Sequence, residues 1–174
     1  MTDIASLPES WQLTDVTKID LLELENFYEH VSGGLMLDAT DLKPNRLRID
    51  KLAEEYERLG LKRDRQLLAL RHENQLKAII MVNLTDLGLN LSDLTNCIKI
   101  FVIESKALSA DILNSTLDAL AAKFQKTNIP ALLFPAAYAD QQAIAYEKHY
   151  NLWAFSLQFS DQYFKYINRL LRFL

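Results

Sequence analysis

The stretch from Cys97 to Phe134, CIKIFVIESKALSADILNSTLDALAAKFQKTNIPALLF, decides the fold class. Its apolar run from Cys97 to Glu104 predicts a strand that is buried on both faces near its end. A helix is predicted next, because Ser109 can cap it and apolar residues then recur at helical spacing as far as Phe124. The run after Pro130 predicts a second strand. A right-handed helical crossover makes the two strands parallel.

Two helices are predicted upstream of this unit. A strand over Trp11 to Val16 leads into a helix that begins at Thr17 to Asp20 and stops at Ser32-Gly33-Gly34. A second apolar stripe, ended by Gly60, predicts another helix without an intervening strand. The members of that stripe are Ile49, Leu52, Ala53, Tyr56 and Leu59.

The rest of the chain supplies a hairpin, a short helix and a last strand. Two apolar runs, 66–71 and 76–84, flank the polar turn 72–75 and predict an antiparallel hairpin. After the parallel strand, a helix is predicted from Asp140 to about Tyr150 and a strand from Leu152 to Phe159. The predicted order is β-α-α-β-β-β-α-β-α-β, an α/β (α+β) fold with a mixed sheet.

The C-terminal segment is expected to be a covered helix. No repeat or linker divides the chain, so residues 1–174 are predicted to form one domain with a helical extension at 160–174. Read as a helix, residues 161–174 have an aromatic, apolar arc that is too wide for a solvent-facing surface. We expect the segment to pack on this domain, to dock a second copy in a homodimer, or to continue into a larger protein. An amphipathic membrane helix is a further alternative, although three cations make a thin polar face.

Composition excludes several classes of partner. A net charge of -4 repels nucleic-acid phosphates, so no nucleic acid is expected. Cys97 is the only cysteine, which excludes an internal disulfide and fits a small buried hydrophobe in a reducing compartment. His30, His72 and His149 share no metal-ligand spacing, so no metal is expected. Neither a signal peptide nor an apolar run of about 20 residues is seen. We therefore expect a cytoplasmic protein that does not span a membrane.

The order of elements resembles that of the GNAT family of N-acyltransferases over nearly the whole chain. Leu13 to Asp20 is similar to the opening strand and capped helix of that family, and Leu68 to Val82 to its central hairpin. Tyr146-Glu147-Lys148 resembles the tyrosine-glutamate-lysine of the penultimate helix. His149-Tyr150-Asn151 stands where a glycine-phenylalanine usually follows.

This resemblance implies a cofactor, acetyl-CoA or another acyl-CoA, in a gap between two splayed strands. The implied strands are 98–104 and 131–134, and the cofactor's pyrophosphate would lie at the start of the long helix. The implied cofactor-binding residues are Val102, Ile103, Lys106, Ala107, Leu108, Ser109 and Ala110. The glycines Gly33 and Gly34 with Leu35-Met36-Leu37 would form the wall on the acceptor side, or alternatively a helix stop and a packed loop.

The same resemblance assigns two catalytic roles. Tyr146 would be the general acid that protonates the departing CoA thiolate. Glu104, if burial raises its pKa, would deprotonate the amine acceptor directly or through a water molecule. Each residue also has a purely structural alternative. Tyr146 would then be a partly buried tyrosine on an amphipathic helix, and Glu104 a solvated carboxylate at a strand end.

The phosphate loop departs from the family pattern. The family pattern is Gln or Arg, two residues, Gly, one residue and then Gly or Ala, and the corresponding positions of this chain are Lys106, Ser109 and Asp111. A carboxylate about 4 Å from a diphosphate is repulsive by on the order of 1 kcal/mol even in water. Two functions follow from the sequence. One is an N-acyltransferase that uses a small-molecule or peptide amine as acceptor, and the other is an inactive GNAT-like sensor or interaction domain.

Overall fold

A computed structural model describes residues 7–32, 37, 40, 42–46, 51–86, 96–103, 108–125 and 129–145. The elements in chain order are β1 (Trp11–Asp15), α1 (Lys18–Ser32), a 3-10 helix (Pro44–Arg46), α2 (Lys51–Arg58), β2 (Arg63–His72), β3 (Gln75–Thr85), β4 (Ile98–Val102), α3 (Ala110–Phe124), β5 (Ala131–Phe134) and α4 (Ala136–Gln141). The predicted mixed α/β class is confirmed. The predicted last strand and the C-terminal helix fall outside the described residues.

The five strands form one mixed sheet in the order β1-β2-β3-β4-β5. Neighbours are antiparallel from β1 to β4, whereas β4 and β5 are parallel, as the helical crossover predicts. Strand β3 lies in the centre, and all its residues from Leu76 to Asn83 are buried. A strand buried in this way needs a layer of side chains on each face of the sheet.

Alternate residues of the strands point to two separate apolar clusters. The cluster on the α3 face includes Leu68, Leu70, Ala78, Ile80, Val82, Ile98, Ile100, Val102, Leu113, Leu120 and Tyr138. The cluster on the α1 face includes Leu21, Leu24, Tyr28, Leu37, Leu42, Ala69, Leu76, Ile79, Met81 and Phe101. Helices α1 and α3 therefore cover opposite faces of the sheet.

The central hairpin is confirmed, and its strands are longer than predicted. Glu73 and Asn74 have φ values of 50° and 67°, which is the backbone of a two-residue type I′ turn. Strand β2 begins at Arg63, three residues before the predicted start at Gln66. The polar residues at its start hid this extension, because they carry no apolar signal.

Helix α2 ends at a left-handed glycine, as predicted. Gly60 has φ 68°, its N–H donates to the carbonyl of Glu57, and the N–H of Leu61 donates to the carbonyl of Tyr56. These two bonds define a Schellman motif. Tyr56 is buried, but the prediction that Leu59 belongs to the apolar stripe was wrong, because Leu59 lies in the terminal turn and is 59% exposed.

The short helix after β5 starts earlier than the sequence predicted, so the predicted start was wrong. Helix α4 spans Ala136–Gln141 and starts directly after Pro135, whereas the sequence predicted a start at Asp140. Its end is marked by Ala143, which has φ 51°. The N–H groups of Ala143 and Ile144 donate to the carbonyls of Asp140 and Ala139. An alanine takes the place that glycine usually has, so the pattern carries no stop signal.

The start of α1 is tied to the sheet by a nearly buried ion pair. Asp20 accepts hydrogen bonds from the N–H and hydroxyl of Thr17, both at 2.8 Å, in the reciprocal arrangement of a capping box. Its other carboxylate oxygen accepts from Nη2 of Arg71, and Nε of Arg71 donates to Thr14 at 3.1 Å. The side chain of Asp20 is 4% exposed and that of Arg71 is 20% exposed, so this contact is poorly screened.

Replacement of Asp20 by asparagine should lower the free energy of unfolding by about 2–4 kcal/mol, because the change leaves the Arg71 charge without its carboxylate. The matched control is Glu55→Gln, which removes the exposed Arg58–Glu55 pair and should cost less than about 1 kcal/mol. Urea unfolding followed by circular dichroism measures both. Equal effects of the two substitutions would contradict a structural role for the Asp20–Arg71 pair.

Candidate functional site

The residues that the sequence assigns to an acyl-CoA site are only partly described. Val102 is the last residue of β4 and Ile103 follows it. Leu108 and the N-cap Ser109 precede α3, which begins at Ala110. Glu104, Lys106, Ala107 and Tyr146 fall outside the described residues. The two catalytic roles therefore stay predictions.

The expected gap between the parallel strands is absent where both strands are described. Ile98, Lys99, Ile100 and Phe101 pair in register with Ala131, Leu132, Leu133 and Phe134, so all of β5 is bonded to β4. The chain then leaves the sheet at Pro135 and enters α4. The prediction that 98–104 and 131–134 splay apart was wrong for these paired residues.

Aromatic side chains cover the end of this strand pair on the α1 face. The rings of Phe101 and Phe134 stack at a centroid distance of 5.0 Å and an interplanar angle of 7°. Tyr28 meets Phe101 edge to face at 6.4 Å, and Phe27 meets Tyr28 in the same way at 5.1 Å. We call Phe27, Tyr28, Phe101 and Phe134 the aromatic cluster.

The aromatic cluster also forms a hydrogen bond with a backbone carbonyl at the end of β4. The hydroxyl of Tyr28 donates to the carbonyl of Val102 at 3.3 Å, in a fully buried position. Burial raises the pKa of Tyr28 far above its ordinary value, so the phenol stays protonated and serves as a donor. The carbonyl of Val102, a residue that the resemblance assigns to cofactor binding, therefore accepts a hydrogen bond from within the protein.

The start of α3 forms its own cap. The hydroxyl of Ser109 accepts a hydrogen bond from the N–H of Ile112 at 3.4 Å, as predicted, and Asp111 is exposed in the first turn. Leu108, just before the cap, is completely buried in the α3-face cluster. The first turn therefore carries an acidic side chain near the amides that would receive a pyrophosphate.

The acceptor wall predicted at Gly33 to Leu37 is described only at Leu37. This side chain is completely buried in the α1-face cluster, and its carbonyl accepts from the N–H of Leu42 at 3.0 Å. The complete burial of Leu37 places its side chain in the core, which favours a packing role over an open wall for an acceptor.

A second group of side chains, polar ones, lies on the α1 face at the end opposite the aromatic cluster, and the sequence analysis did not predict it. Arg63 is opposite Thr85, and Arg65 is opposite Asn83. Lys99 is opposite Met81, which belongs to the α1-face cluster. Side chains two residues apart on a strand share a face, so all five polar side chains lie on the α1 face. We call Arg63, Arg65, Asn83, Thr85 and Lys99 the polar end.

Neighbouring elements hold the two arginines of the polar end in place. The guanidinium of Arg63 lies over the ring of Tyr56, 5.7 Å from its centroid, and Nη2 of Arg65 donates to the carbonyl of Thr40 at 3.1 Å. The sequence contained a signal for this site: polar residues alternate at the start of β2, as Arg63 and Arg65, and at the end of β3, as Asn83 and Thr85. It was missed because the predicted strand began only at Gln66.

The cations of the polar end act on one another. Burial lowers the pKa of Lys99, and the nearby charges of Arg65 and Arg63 lower it further, while Cys97 raises it. Burial raises the pKa of the Cys97 thiol, which keeps it protonated and unsuited to nucleophilic attack. Cys97 is completely buried, as the sequence predicted.

The comparisons with known proteins give no relative for this chain. No protein-family model, no curated protein and no solved structure matches it. In the part of the chain that the structure describes, no helix is long and apolar enough to cross a membrane. Among the same residues, no group of three or more His, Cys, Asp or Glu side chains could hold a metal ion.

Lys99→Met should raise the free energy of unfolding at pH 7 by on the order of 1 kcal/mol, because it removes a half-buried charge that lies near two other cations. A lysine with a lowered folded pKa destabilises the fold below that pKa, and stability rises as the pH increases toward the ordinary pKa of about 10.4. The raised pKa of Cys97 acts in the opposite direction above about pH 8.5, so the comparison is made as a difference: the gain in stability of Lys99→Met over the parent chain should shrink as the pH rises. Urea unfolding between pH 7 and 10 measures both effects.

Lys62→Met is the matched control. Lys62 is exposed and precedes Arg63 in the chain, so its replacement removes the same charge outside the polar end. Its stability should stay within about 0.5 kcal/mol of the parent chain. A Lys99→Met protein less stable than the Lys62→Met protein would contradict the burial and repulsion assigned to Lys99.

Proposed function

We propose that this chain is a non-catalytic domain of GNAT-like topology that acts as a sensor or interaction domain. The GNAT-like part of the proposal is supported by the order of the elements and by the sheet order β1-β2-β3-β4-β5 with a parallel last pair. The non-catalytic part is supported by the way in which β4, β5 and α3 use the groups that an acyl-CoA would need.

The pairing of β4 with β5 is the observation that carries the proposal. An extended thioester cofactor needs an unpaired strand edge to bind against, and each of the four residues of β5 is in register with β4. The Phe101–Phe134 stack then joins the two strands on the α1 face. Insertion of a pantetheine chain at this place would break both the ladder and the ring contact.

The neighbouring groups support the same conclusion. The carbonyl of Val102 is bound by Tyr28, and the hydroxyl of Ser109 is used to cap α3. Asp111 places a carboxylate where a diphosphate would approach the helix, and this contact is repulsive. The side chains at this end therefore stabilise the fold and disfavour an anionic cofactor.

An N-acyltransferase is the second candidate function. It is favoured by the start of α3, whose N–H groups form a helix terminus of the kind that binds phosphates, on a crossover that leads from β4 to β5. In this candidate Glu104 accepts a proton from the amine, and Tyr146 protonates the CoA thiolate as the acyl group transfers directly. The acyl acceptor would be an amine on a small molecule or a peptide.

Titration with acetyl-CoA and longer acyl-CoAs should leave the melting temperature unchanged, because the edge of β4 that would face the cofactor is paired with β5 from Ile98 to Phe101. A ligand at 100 times its dissociation constant stabilises by about 2.7 kcal/mol, which would raise the melting temperature of a chain of this size by roughly 5–10 °C. Differential scanning fluorimetry detects such a change easily.

The acyl-CoA titration needs a control for simple phosphate binding at the polar end. The same titrations are therefore run on Lys99→Met, with adenosine 3′,5′-bisphosphate as the non-acylated comparison. Stabilisation that requires the acyl-pantetheine part and survives Lys99→Met would overturn the proposal in favour of the acyltransferase. In that case Tyr146→Phe should reduce turnover while leaving cofactor binding intact.

A further inference from the structure

Two deeply buried polar atoms at the polar end point to a ligand. Asn83 is 5% exposed and Thr85 is 8% exposed. Within the described ranges, Oδ1 of Asn83 and Oγ1 of Thr85 have no hydrogen-bond partner. Buried polar side chains are nearly always hydrogen-bonded, so these two atoms require a partner from outside the described chain.

The sheet register brings the surrounding cations within reach of these atoms. Arg65 is directly across from Asn83, and Arg63 is directly across from Thr85. The N–H of Asn83 donates to the carbonyl of Cys97 at 3.1 Å, so Lys99, two residues further along, is the diagonal neighbour of Asn83. Diagonal neighbours are about 7–8 Å apart, a distance that a lysine side chain spans.

The charge of this region selects the class of ligand. Arg63, Arg65 and Lys99 are each partly exposed, and the two arginines act on Lys99 by Coulombic repulsion. An anion bound among the three would remove that repulsion and would accept hydrogen bonds from all of them. The hydroxyl of Thr85 can donate to the same anion, whereas Oδ1 of Asn83 can only accept.

We propose that the polar end is a binding site for a small protonated oxyanion, of which hydrogen phosphate is the simplest. Its oxygens accept from Arg63, Arg65, Lys99 and Thr85, and its P–OH donates to Oδ1 of Asn83. The site is formed by β2, β3 and β4 at the opposite end from the aromatic cluster. The proposal of this site therefore does not depend on whether the domain uses acyl-CoA.

Isothermal titration of the full chain with inorganic phosphate, at an ionic strength fixed with chloride, tests the site. Phosphate should bind saturably, and Lys99→Met should raise its apparent dissociation constant by about tenfold or more, the effect of one charged hydrogen bond. Thr85→Val, which removes only the hydroxyl, should raise it by about three- to tenfold. Sulfate should bind about tenfold more weakly than phosphate, because it has no proton for Asn83 at neutral pH.

The control is again Lys62→Met, which should bind phosphate as the parent chain does. A Lys99→Met protein that melts no lower than the parent chain but does not bind phosphate would separate loss of the site from loss of the fold. Absence of saturable phosphate binding would overturn the proposal. Phosphate affinity unchanged in both Lys99→Met and Thr85→Val would overturn it as well, because the anion would then bind elsewhere.

A second pair of titrations identifies the source of the phosphate group. At neutral pH glycerol 3-phosphate is mostly a dianion without a P–OH proton, because its second pKa is about 6, so it should bind saturably but more weakly than inorganic phosphate, as sulfate does. Vesicles of phosphatidylcholine with phosphatidic acid should sediment no more chain than vesicles of phosphatidylcholine alone. Sedimentation that depends on phosphatidic acid and on Lys99 would contradict a small soluble ligand.

Discussion

The burial of strand β3 on both faces is the constraint on which the rest of the structure depends. From Leu76 to Asn83 the strand has no exposed residue, so it is stable only when side chains are supplied from above and below. Helix α1 supplies one layer and α3 the other. The Asp20–Arg71 pair anchors the first, and the crossover between β4 and β5 places the second.

The two ends of the α1 face meet this constraint in different ways. At one end the aromatic cluster fills the layer with rings, and the carbonyl of Val102 is satisfied by Tyr28. At the other end the layer contains Asn83, Thr85 and three cations, and two buried acceptor atoms lack a partner within the described residues. Among the described residues of this face, Asn83 and Thr85 thus hold buried oxygens without a partner, and this favours ligand binding at the polar end.

The elements that could be predicted are those whose signal is local. The hairpin, the Ser109 cap and the Gly60 stop were all correct, because turn, cap and left-handed residues act over a few positions. The start of β2 and both bounds of α4 were missed. Arg63 and Arg65 carry no apolar signal for a strand, and they belong to β2 because they pair with β3. Helix α4 ends at Ala143, which has a left-handed backbone without being a glycine. The polar end depends on the register of three strands, which no single segment contains.

The sequence patterns predicted the order of the described elements as far as β5, but the resemblance to acyltransferases drawn from that order predicted a gap that the described strands do not have. Order follows from patterns along one strand or helix, whereas the separation of β4 from β5 depends on the side chains between them. In the sequence Phe134 is only the end of an apolar run, whereas its stacking on Phe101 depends on the pairing of β4 with β5. Family-derived roles for Glu104 and Tyr146 rest on that unobserved gap.

Amide hydrogen exchange of β4 and β5, measured by NMR with and without saturating acetyl-CoA, tests the closed strand pair most directly. The amides of 131–134 that face β4 should be strongly protected, and acetyl-CoA should change neither their protection nor their chemical shifts. Fast exchange of these amides, or a change in their exchange on addition of acetyl-CoA, would contradict a closed β4–β5 pair.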